Sequence, residues 1–469
     1  MKKNFTQFAQ LYTKGFLFVI MVCGLLMSVS VKAQLSTAQH IASKMKIGWN
    51  LGNTLEATWV PRNTFGTTTQ AAIDSVKAKG FNTVRIPVAW FYHSDTITSK
   101  IDAAWLSNVK KVVDYCIKDS MYVIINAHWD KGWLENRVNT ANKDIVNKRQ
   151  QAYWTQIATY FKDYNDHLLF AGANEPNVTD ATSMAVLLSY HQTFINAVRA
   201  TGGNNSSRTL IIQGPSTDID KTNKLMNTLP VDQIEGRLMV EVHYYTPWNF
   251  CGMNGDASWG KMFYYWGKGN HSVTETSRNA TWGEESDMDK LLGLMKTKYI
   301  DKGIPVIIGE YGAFRKKLSP PSDQTLHNAS IEYYYRYFMK SATSKGFITY
   351  CWDTGGLFNF TSGRMNDRVV LNAIVQGAKD VTTGTAMLRD NAIEIYPNPF
   401  RSTICLKTNH PEDINRVAVY DMMGHQVETV EHAAIKSPLD LGSSLKPDLY
   451  IVQVNEFNWT RSFKVLKMQ

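Results

Sequence analysis

Residues 168–176 read Leu168-Leu-Phe-Ala-Gly-Ala-Asn-Glu-Pro176, and residues 306–311 read Val306-Ile-Ile-Gly-Glu-Tyr311. Each is a short apolar run that stops on polar residues. A run of that length, too short for a helix and apolar at successive positions, suits a strand covered on both faces. The pattern recurs at Lys46–Gly52, Phe81–Val88, Met121–His128, Thr209–Pro215, Leu238–Tyr245 and Phe347–Asp353, which with Leu168–Pro176 and Ile304–Tyr311 makes eight strands. Between them lie stretches of helical periodicity such as Thr69–Lys79, Ala103–Lys118 and Gln150–Tyr164. Eight strands alternating with helices predict an α/β fold, a closed parallel (β/α)8 TIM barrel. An open doubly wound sheet is the alternative. It would carry a glycine-rich phosphate loop after an early strand, and the sequence has none there.

The polar ends of these strands hold the chemistry-bearing residues: Arg85, His128, Asn174 with Glu175, His243 with Tyr245, Glu310, and Trp352. In a barrel of this kind the C-terminal strand ends form the active face. Glu175 ends the fourth strand and Glu310 the seventh. A single glutamate after a strand is ordinarily a solvated loop residue. Two on the catalytic rim of one barrel suit glycoside hydrolysis, which needs one carboxyl to protonate the leaving oxygen and a second to attack or to activate water. Their proximity also raises one of the two pKa values, as an acid near neutral pH requires.

The chain has 469 residues, 44% of them apolar, enough for a barrel plus a small module. Its formal charge of +9 includes Lys2, Lys3, Lys14 and Lys32 in an N-terminal segment without acids. No basic stripe interleaved with aromatics is present, so no nucleic-acid partner is expected. The basic start, the apolar run Phe16–Val31 and the small-x-small step Val31-Lys32-Ala33 predict a signal peptide over residues 1–33, cut before Gln34. A membrane anchor is the alternative, for which the run is short. Cys116, Cys251, Cys351 and Cys405 then remain. Their spacing matches neither a zinc site nor a disulfide framework, and no metal or cofactor is expected. Cys116 and Cys351 read as small buried hydrophobes.

The barrel pattern is expected to span residues 34–376 and to give way to a linker over 377–391, rich in Thr, Gly and Asp. Alternating strands at Ile393–Phe400, Val417–Tyr420, Tyr450–Val454 and Phe463–Leu466, with turns at Met423-Gly424 and Pro447-Asp448, predict a small all-β sandwich over 392–469.

Seven ordered motifs make the reading specific: Gly48-Trp-Asn-Leu-Gly-Asn53, Val84-Arg-Ile-Pro-Val88, Asn126-Ala-His128, Asn174-Glu-Pro176, Val242-His-Tyr-Tyr245, Gly309-Glu-Tyr311 and Cys351-Trp-Asp353. With them the chain resembles glycoside hydrolase family 5, the cellulase-type barrels, over about residues 40–375. The resemblance implies a retaining endo-β-1,4-glucanase with Glu175 as acid/base and Glu310 as nucleophile. It implies that Asn174 holds the sugar 2-hydroxyl and that Arg85 and Tyr245 keep Glu310 ionised and aimed. His128 and His243 would donate to substrate or to the acid/base, and Trp352 would stack under the sugar at the cleavage point. Simpler roles stay open: a buried ion pair for Arg85, core packing for the histidines, packing instead of subsites for Trp49, Trp90 and Trp129, and loop fixing instead of substrate contact for Asn50, Asn53 and Glu56. Two departures from the commoner pattern border the substrate. Trp129 follows His128, and Thr354-Gly355-Gly356 follows Asp353. They leave open xyloglucan, mixed-linkage glucan or mannan in place of cellulose.

The tail resembles the C-terminal sorting domain of type IX secretion cargo through Tyr396-Pro-Asn-Pro-Phe400, Val419-Tyr-Asp-Met-Met-Gly424, Leu449-Tyr-Ile-Val452 and Lys464-Val-Leu-Lys467, with Asp448 where relatives have glycine. That implies outer-membrane secretion machinery as a partner and a secreted or cell-surface location in a Gram-negative bacterium. A carbohydrate-binding or spacer module is the alternative. The expected enzyme is a monomer acting on a polysaccharide. A non-catalytic glycan-binding protein would lack one of the two glutamates, and both are present.

Overall fold

The computed structural model describes residues 37–58, 67–381, 393–408, 411, 414–431, 435, 437–456 and 459–469. The expected signal peptide lies outside these residues, as does the expected linker from residue 382 on; its first residues instead belong to the last barrel helix, which runs to Lys379, past the expected boundary at 376. The catalytic unit contains strands β1 Ile47–Leu51, β2 Thr83–Ile86, β3 Tyr122–Asn126, β4 Leu168–Ala171, β5 Leu210–Gln213, β6 Leu238–Tyr244, β7 Val306–Tyr311 and β8 Ile348–Asp353. They pair in parallel in chain order, and β8 returns to β1 to close the barrel. All eight expected strands form, and the doubly wound alternative is excluded by this closure.

The helices are α1 Ala38–Lys44, α2 Gln70–Ala78, α3 Ala103–Lys118, α4 Lys143–Tyr160, α5 Ala181–Ala200, α6 Ile219–Leu225, α7 Trp248–Cys251, α8 Glu285–Lys298, α9 Gln324–Lys345 and α10 Arg368–Lys379. Local chemistry sets their starts. Thr69 caps α2 by accepting from the Ala72 N–H, and Asp180 with Ser183 forms a capping box on α5. The helix expected over Gln150–Tyr164 begins earlier, at Lys143. Its first two turns are mostly polar, and the buried Gln150 interrupts the apolar stripe while donating to the Gly172 carbonyl at 2.8 Å.

Strand periodicity separates two cores. Val123, Ile125, Leu168, Phe170, Val240, Val242, Val306 and Ile308 pack outward under the helices. Ile124, Leu169, Ile211, Met239, Ile307 and Ile348 fill the barrel interior, with Ala38, Ile41 and Met45 at its N-terminal end. Along the same inward parity, toward the C-terminal ends, come Asn50, Arg85, Asn126, Gln213, Glu241 and His243, all buried. The interior is therefore apolar at its base and charged just below the mouth.

On β7 this parity would turn Glu310 outward, beside Ile308. The β6–β7 register shifts by one residue there, so that Val242 pairs with Ile308 and His243 with Glu310. This bulge at Gly309 re-aims Glu310 into the mouth.

The tail forms two antiparallel sheets, β13-β10-β9 and β12-β11-β14-β15. Their strands are β9 Glu394–Tyr396, β10 Ile404–Lys407, β11 Ile414–Tyr420, β12 Gln426–Glu431, β13 Leu439–Leu441, β14 Leu449–Glu456 and β15 Trp459–Leu466. Phe400, Ile404, Leu406, Val417, Val419, Val452 and Val454 belong to one core. Cys116, Cys251, Cys351 and Cys405 are all free thiols; Cys116 and Cys351 are buried as expected, and Cys251 is buried as well.

Candidate active site

Arg85 is the hub. Its guanidinium is fully buried at the end of β2, where only full pairing makes burial tolerable. Nε lies 2.9 Å from Glu241 Oε1, and Nη1 donates to Glu310 Oε1 at 3.1 Å and to Asn50 Oδ1 at 3.0 Å. Nη2 donates to Asn174 Oδ1 at 2.7 Å. Residues on or just after four strands, β1, β4, β6 and β7, are thus tied to one cation.

Glu175 and Glu310 sit in unlike surroundings. The Glu310 side chain is 8% exposed and also accepts from the Tyr245 hydroxyl at 3.1 Å. The Glu175 side chain is 46% exposed toward the cleft and meets His243 Nδ1 at 2.7 Å. His243 Nδ1 is 3.8 Å from Glu310 Oε2, and one oxygen of each carboxylate together with a His243 nitrogen all lie within 4.8 Å of one another. Burial disfavours the ionised form of both acids. At Glu175 the hydrogen bond and charge of His243 outweigh burial, and its pKa falls. At Glu310 burial outweighs the pull of His243 and Arg85, and its pKa rises. The contacts expected of Arg85 and Tyr245 on Glu310 are present, and Arg85 draws its pKa down, but burial outweighs that pull. A carboxylate closed off on nearly every side, with Glu175 and Glu241 beside it, is lifted more by desolvation than it is lowered by the two cations, His243 and Arg85.

His243 shows the opposite balance. Burial lowers its pKa, yet Glu310, Glu175 and Glu241 together push it up to about 9. Charged at neutral pH, it has no lone pair to give a metal, although Glu175, His243 and Glu310 stand close enough to share one.

His128 lies near Asn126 Nδ2 at 3.1 Å, and its ring stacks on Trp352 with centroids 5.8 Å apart. Burial, with Arg85 and His243 nearby, keeps it neutral. Of the two histidines, His243 is the one that bonds the acid, at 2.7 Å. Asn174 Oδ1 is committed to Arg85 and, at 3.4 Å, to Asn126, which leaves its Nδ2 as the donor for a sugar hydroxyl. Trp352 is half-buried and lies over Gly52, where a β carbon would come within 2.8 Å of the indole. All eight residues singled out by sequence, Arg85, His128, Asn174, Glu175, His243, Tyr245, Glu310 and Trp352, therefore meet at one mouth.

The open alternatives divide. Trp49 and Trp90 are fully buried, with their indole N–H groups bonded to Asp353 at 2.9 Å and to the Asn126 carbonyl at 2.8 Å, so they pack the barrel and line no subsite. Trp129 is 39% exposed and Trp248 46%, the latter edge-on to Tyr245. Glu56 accepts from the Asn53 and Thr54 backbone N–H groups and fixes its loop. Asn50 is held by Arg85 and by the Gly309 and Tyr350 carbonyls. Asp353 accepts from the Gly355, Leu357 and Phe358 N–H groups and shapes the loop where the sequence departs from the commoner pattern.

Two buried side chains in the network were not singled out by sequence. Glu241 joins Arg85 to His243, and Gln213 donates to Glu241 Oε2 at 2.6 Å while accepting from the Ala173 N–H at 2.8 Å. Their signal was parity: Met239, Glu241 and His243 alternate with Val240, Val242 and Tyr244.

Residues 41–356 match the family profile Cellulase (glycosyl hydrolase family 5), and residues 394–467 match the secretion system C-terminal sorting domain. The latter marks a secreted or cell-surface protein. The xyloglucan-specific endo-β-1,4-glucanase of Bacteroides ovatus is 36% identical over 73% of this chain and 70% of its own length. Endoglucanase A of Paenibacillus barcinonensis is 34% identical over 73% and 90%. A solved xyloglucan-specific β-1,4-glucanase from a ruminal metagenomic library superposes with a TM-score of 0.67 at 42% identity, covering 77% of this chain and all of that one. A profile match across all eight barrel strands and relatives of this identity make one conclusion: the chain belongs to glycosyl hydrolase family 5 and is a glycoside hydrolase.

Proposed function

We propose that the chain is a retaining endo-β-1,4-glucanase in which Glu310 attacks the anomeric carbon and Glu175 acts as acid and then base. The observation that carries this reading is the spacing: an oxygen of each carboxylate lies within 4.8 Å of the other. Direct attack needs the carboxyl groups about 5–5.5 Å apart, whereas a water-mediated inverting pair stands about 6.5–9.5 Å apart. In the first step Glu175 protonates the glycosidic oxygen while Glu310 forms a glycosyl-enzyme. In the second, Glu175 takes a proton from water, which releases the sugar with its configuration retained. The proton that Glu175 gives is held in its hydrogen bond to His243. Arg85 and Tyr245 aim Glu310, the Asn174 amide meets the 2-hydroxyl, and Trp352, braced by His128, stacks under the sugar.

The backbone expected from the resemblance is cellulose-type β-glucan. Xyloglucan is the second reading, favoured because the Bacteroides ovatus relative and the metagenomic structure are both described as xyloglucan-specific. Viscosity loss is to be measured on carboxymethyl-cellulose, xyloglucan, mixed-linkage glucan and mannan, with Glu310→Gln beside the unaltered chain. Rapid loss on a β-1,4-glucan that disappears in Glu310→Gln supports the reading, and the best substrate names the glycan. Activity surviving in Glu310→Gln contradicts the nucleophile.

We further propose that the tail delivers the enzyme to an outer-membrane secretion machinery of a Gram-negative bacterium after loss of residues 1–33. The enzyme is proposed to act there as a monomer on its polysaccharide.

A further inference from the structure

Glu241 is fully buried in the middle of β6, a place where a carboxylate is costly unless something uses it. It is not a substrate ligand, since it lies below His243 and is closed in by the barrel. Oε1 meets Arg85 Nε at 2.9 Å and His243 Nε2 at 3.2 Å, and Oε2 accepts from Gln213 at 2.6 Å. Gln213 in turn holds the Ala173 backbone, one residue before Asn174-Glu175. Glu241 therefore touches both ends of the acid: the imidazole that meets its carboxylate and the strand end that carries it.

We propose that Glu241 is a positioning residue for the acid/base step, holding the Nε2–H of His243 so that only Nδ1 exchanges a proton with Glu175. The proposal rests on the reading of Glu175 as acid/base. With Nε2–H bonded to Glu241, His243 has one mobile proton, on Nδ1, 2.7 Å from Glu175. Transfer of that proton to Glu175 leaves a neutral imidazole in the Nε2–H tautomer. The protonated Glu175 gives the proton to the leaving oxygen, and the water that later cleaves the glycosyl-enzyme returns one to the pair. The groups facing His243 are Glu241 from its own strand, Glu175 from the end of β4, Glu310 from β7, Arg85 from β2, Tyr245 from the rim and the neutral His128 from the end of β3. Among the acids, Glu241 alone reaches the Nε2 side. Its negative charge also keeps the proton on the Glu175–His243 pair to higher pH.

The test uses the full chain and Glu241→Gln, which keeps the size of the side chain and removes the charge. A soluble β-glucan that needs an acid is compared with dinitrophenyl β-cellobioside, whose leaving group does not. The expected result is a fall of about tenfold or more in the ratio of kcat/KM on glucan to that on the aryl cellobioside. The basic limb of the glucan pH profile should move about one pH unit or more to lower pH. Equal losses on both substrates with an unmoved limb overturn the proposal, as does an unchanged enzyme. Gln213→Met provides a second variant in case Glu241→Gln does not fold. It removes one donor to Glu241 while Arg85 and His243 keep that carboxylate ionised, so more of its charge falls on His243 and the same limb should move to higher pH; an unmoved limb there also overturns the proposal. Glu175→Gln run in parallel separates the two claims. If it spares neither substrate, the acid/base reading fails, whatever Glu241→Gln does.

Discussion

A β carbon on Gly309 would overlap the Glu241 carboxylate. The two residues thus fit each other: Glu241 occupies room that only glycine leaves, and the bulge at Gly309 turns Glu310 into the mouth.

Gly309→Ala should therefore displace Glu241 and, through Arg85 and His243, both ends of the site. Overpacking of this kind costs about 1–3 kcal/mol. The expected outcome is a lower melting temperature together with a loss of kcat larger than any rise in KM. Unchanged kinetics in a folded Gly309→Ala would show that the two residues do not compete for space.

Glu175→Gln should lower kcat/KM on glucan by about 10²–10⁴-fold, the usual worth of a positioned general acid. Loss on dinitrophenyl β-cellobioside should be far smaller, because that leaving group departs unprotonated. Added azide should restore turnover and give a β-glycosyl azide, the product of attack on a glycosyl-enzyme. Formation of an α-azide would contradict retention.

Glu135 offers a test through stability. It lies on the loop after β3, 1% exposed, and burial, with Asp130 and Glu175 nearby, raises its pKa to about 8 against the pull of backbone N–H groups. The folded protein then keeps a proton that the unfolded chain loses near pH 4.5. Stability must therefore fall as pH rises from about 4.5 to about 8, by on the order of a few kcal/mol. Glu135→Gln imitates the protonated acid and removes that loss. Its melting temperature should exceed that of the unaltered chain at pH 8, and the gap should close toward pH 4.5. A gap independent of pH would contradict the assignment.

Trp352→Ala removes the aromatic face beside His128. A stacking contact worth about 1 kcal/mol corresponds to roughly a fivefold loss in kcat/KM on glucan. Because Asp353 shapes the loop from the neighbouring position, the fold should persist, and circular dichroism checks this. An unchanged kcat/KM would remove Trp352 from the cleft.

The strand ends were legible because they break a pattern. Arg85, Glu175 and Glu310 each interrupt or end an apolar run, and the two glutamates at strand ends by themselves point to hydrolysis. What stayed hidden was what lies below the rim. Glu241 sits among valines and looks like one polar residue of a strand. Only closure of the barrel brings it to Arg85 from β2, more than a hundred residues away. The proton balance was equally hidden, since it depends on how far Glu310 is desolvated against Arg85 and His243. Trp49 and Trp90 stayed open between packing and subsites for the converse reason. An indole reads the same whether it stacks on sugar or packs under a helix, and here both point outward from the barrel into the helical layer.

The most direct test of the central claim is to trap the glycosyl-enzyme. The full chain is incubated with a dinitrophenyl 2-fluoro-β-cellobioside, whose slowed second step lets the covalent adduct accumulate, and the labelled peptide is mapped by mass spectrometry. The account predicts one cellobiosyl label, on the peptide containing Glu310 and at that carboxylate. A label on any other residue, or turnover with inverted product and no label, would contradict it.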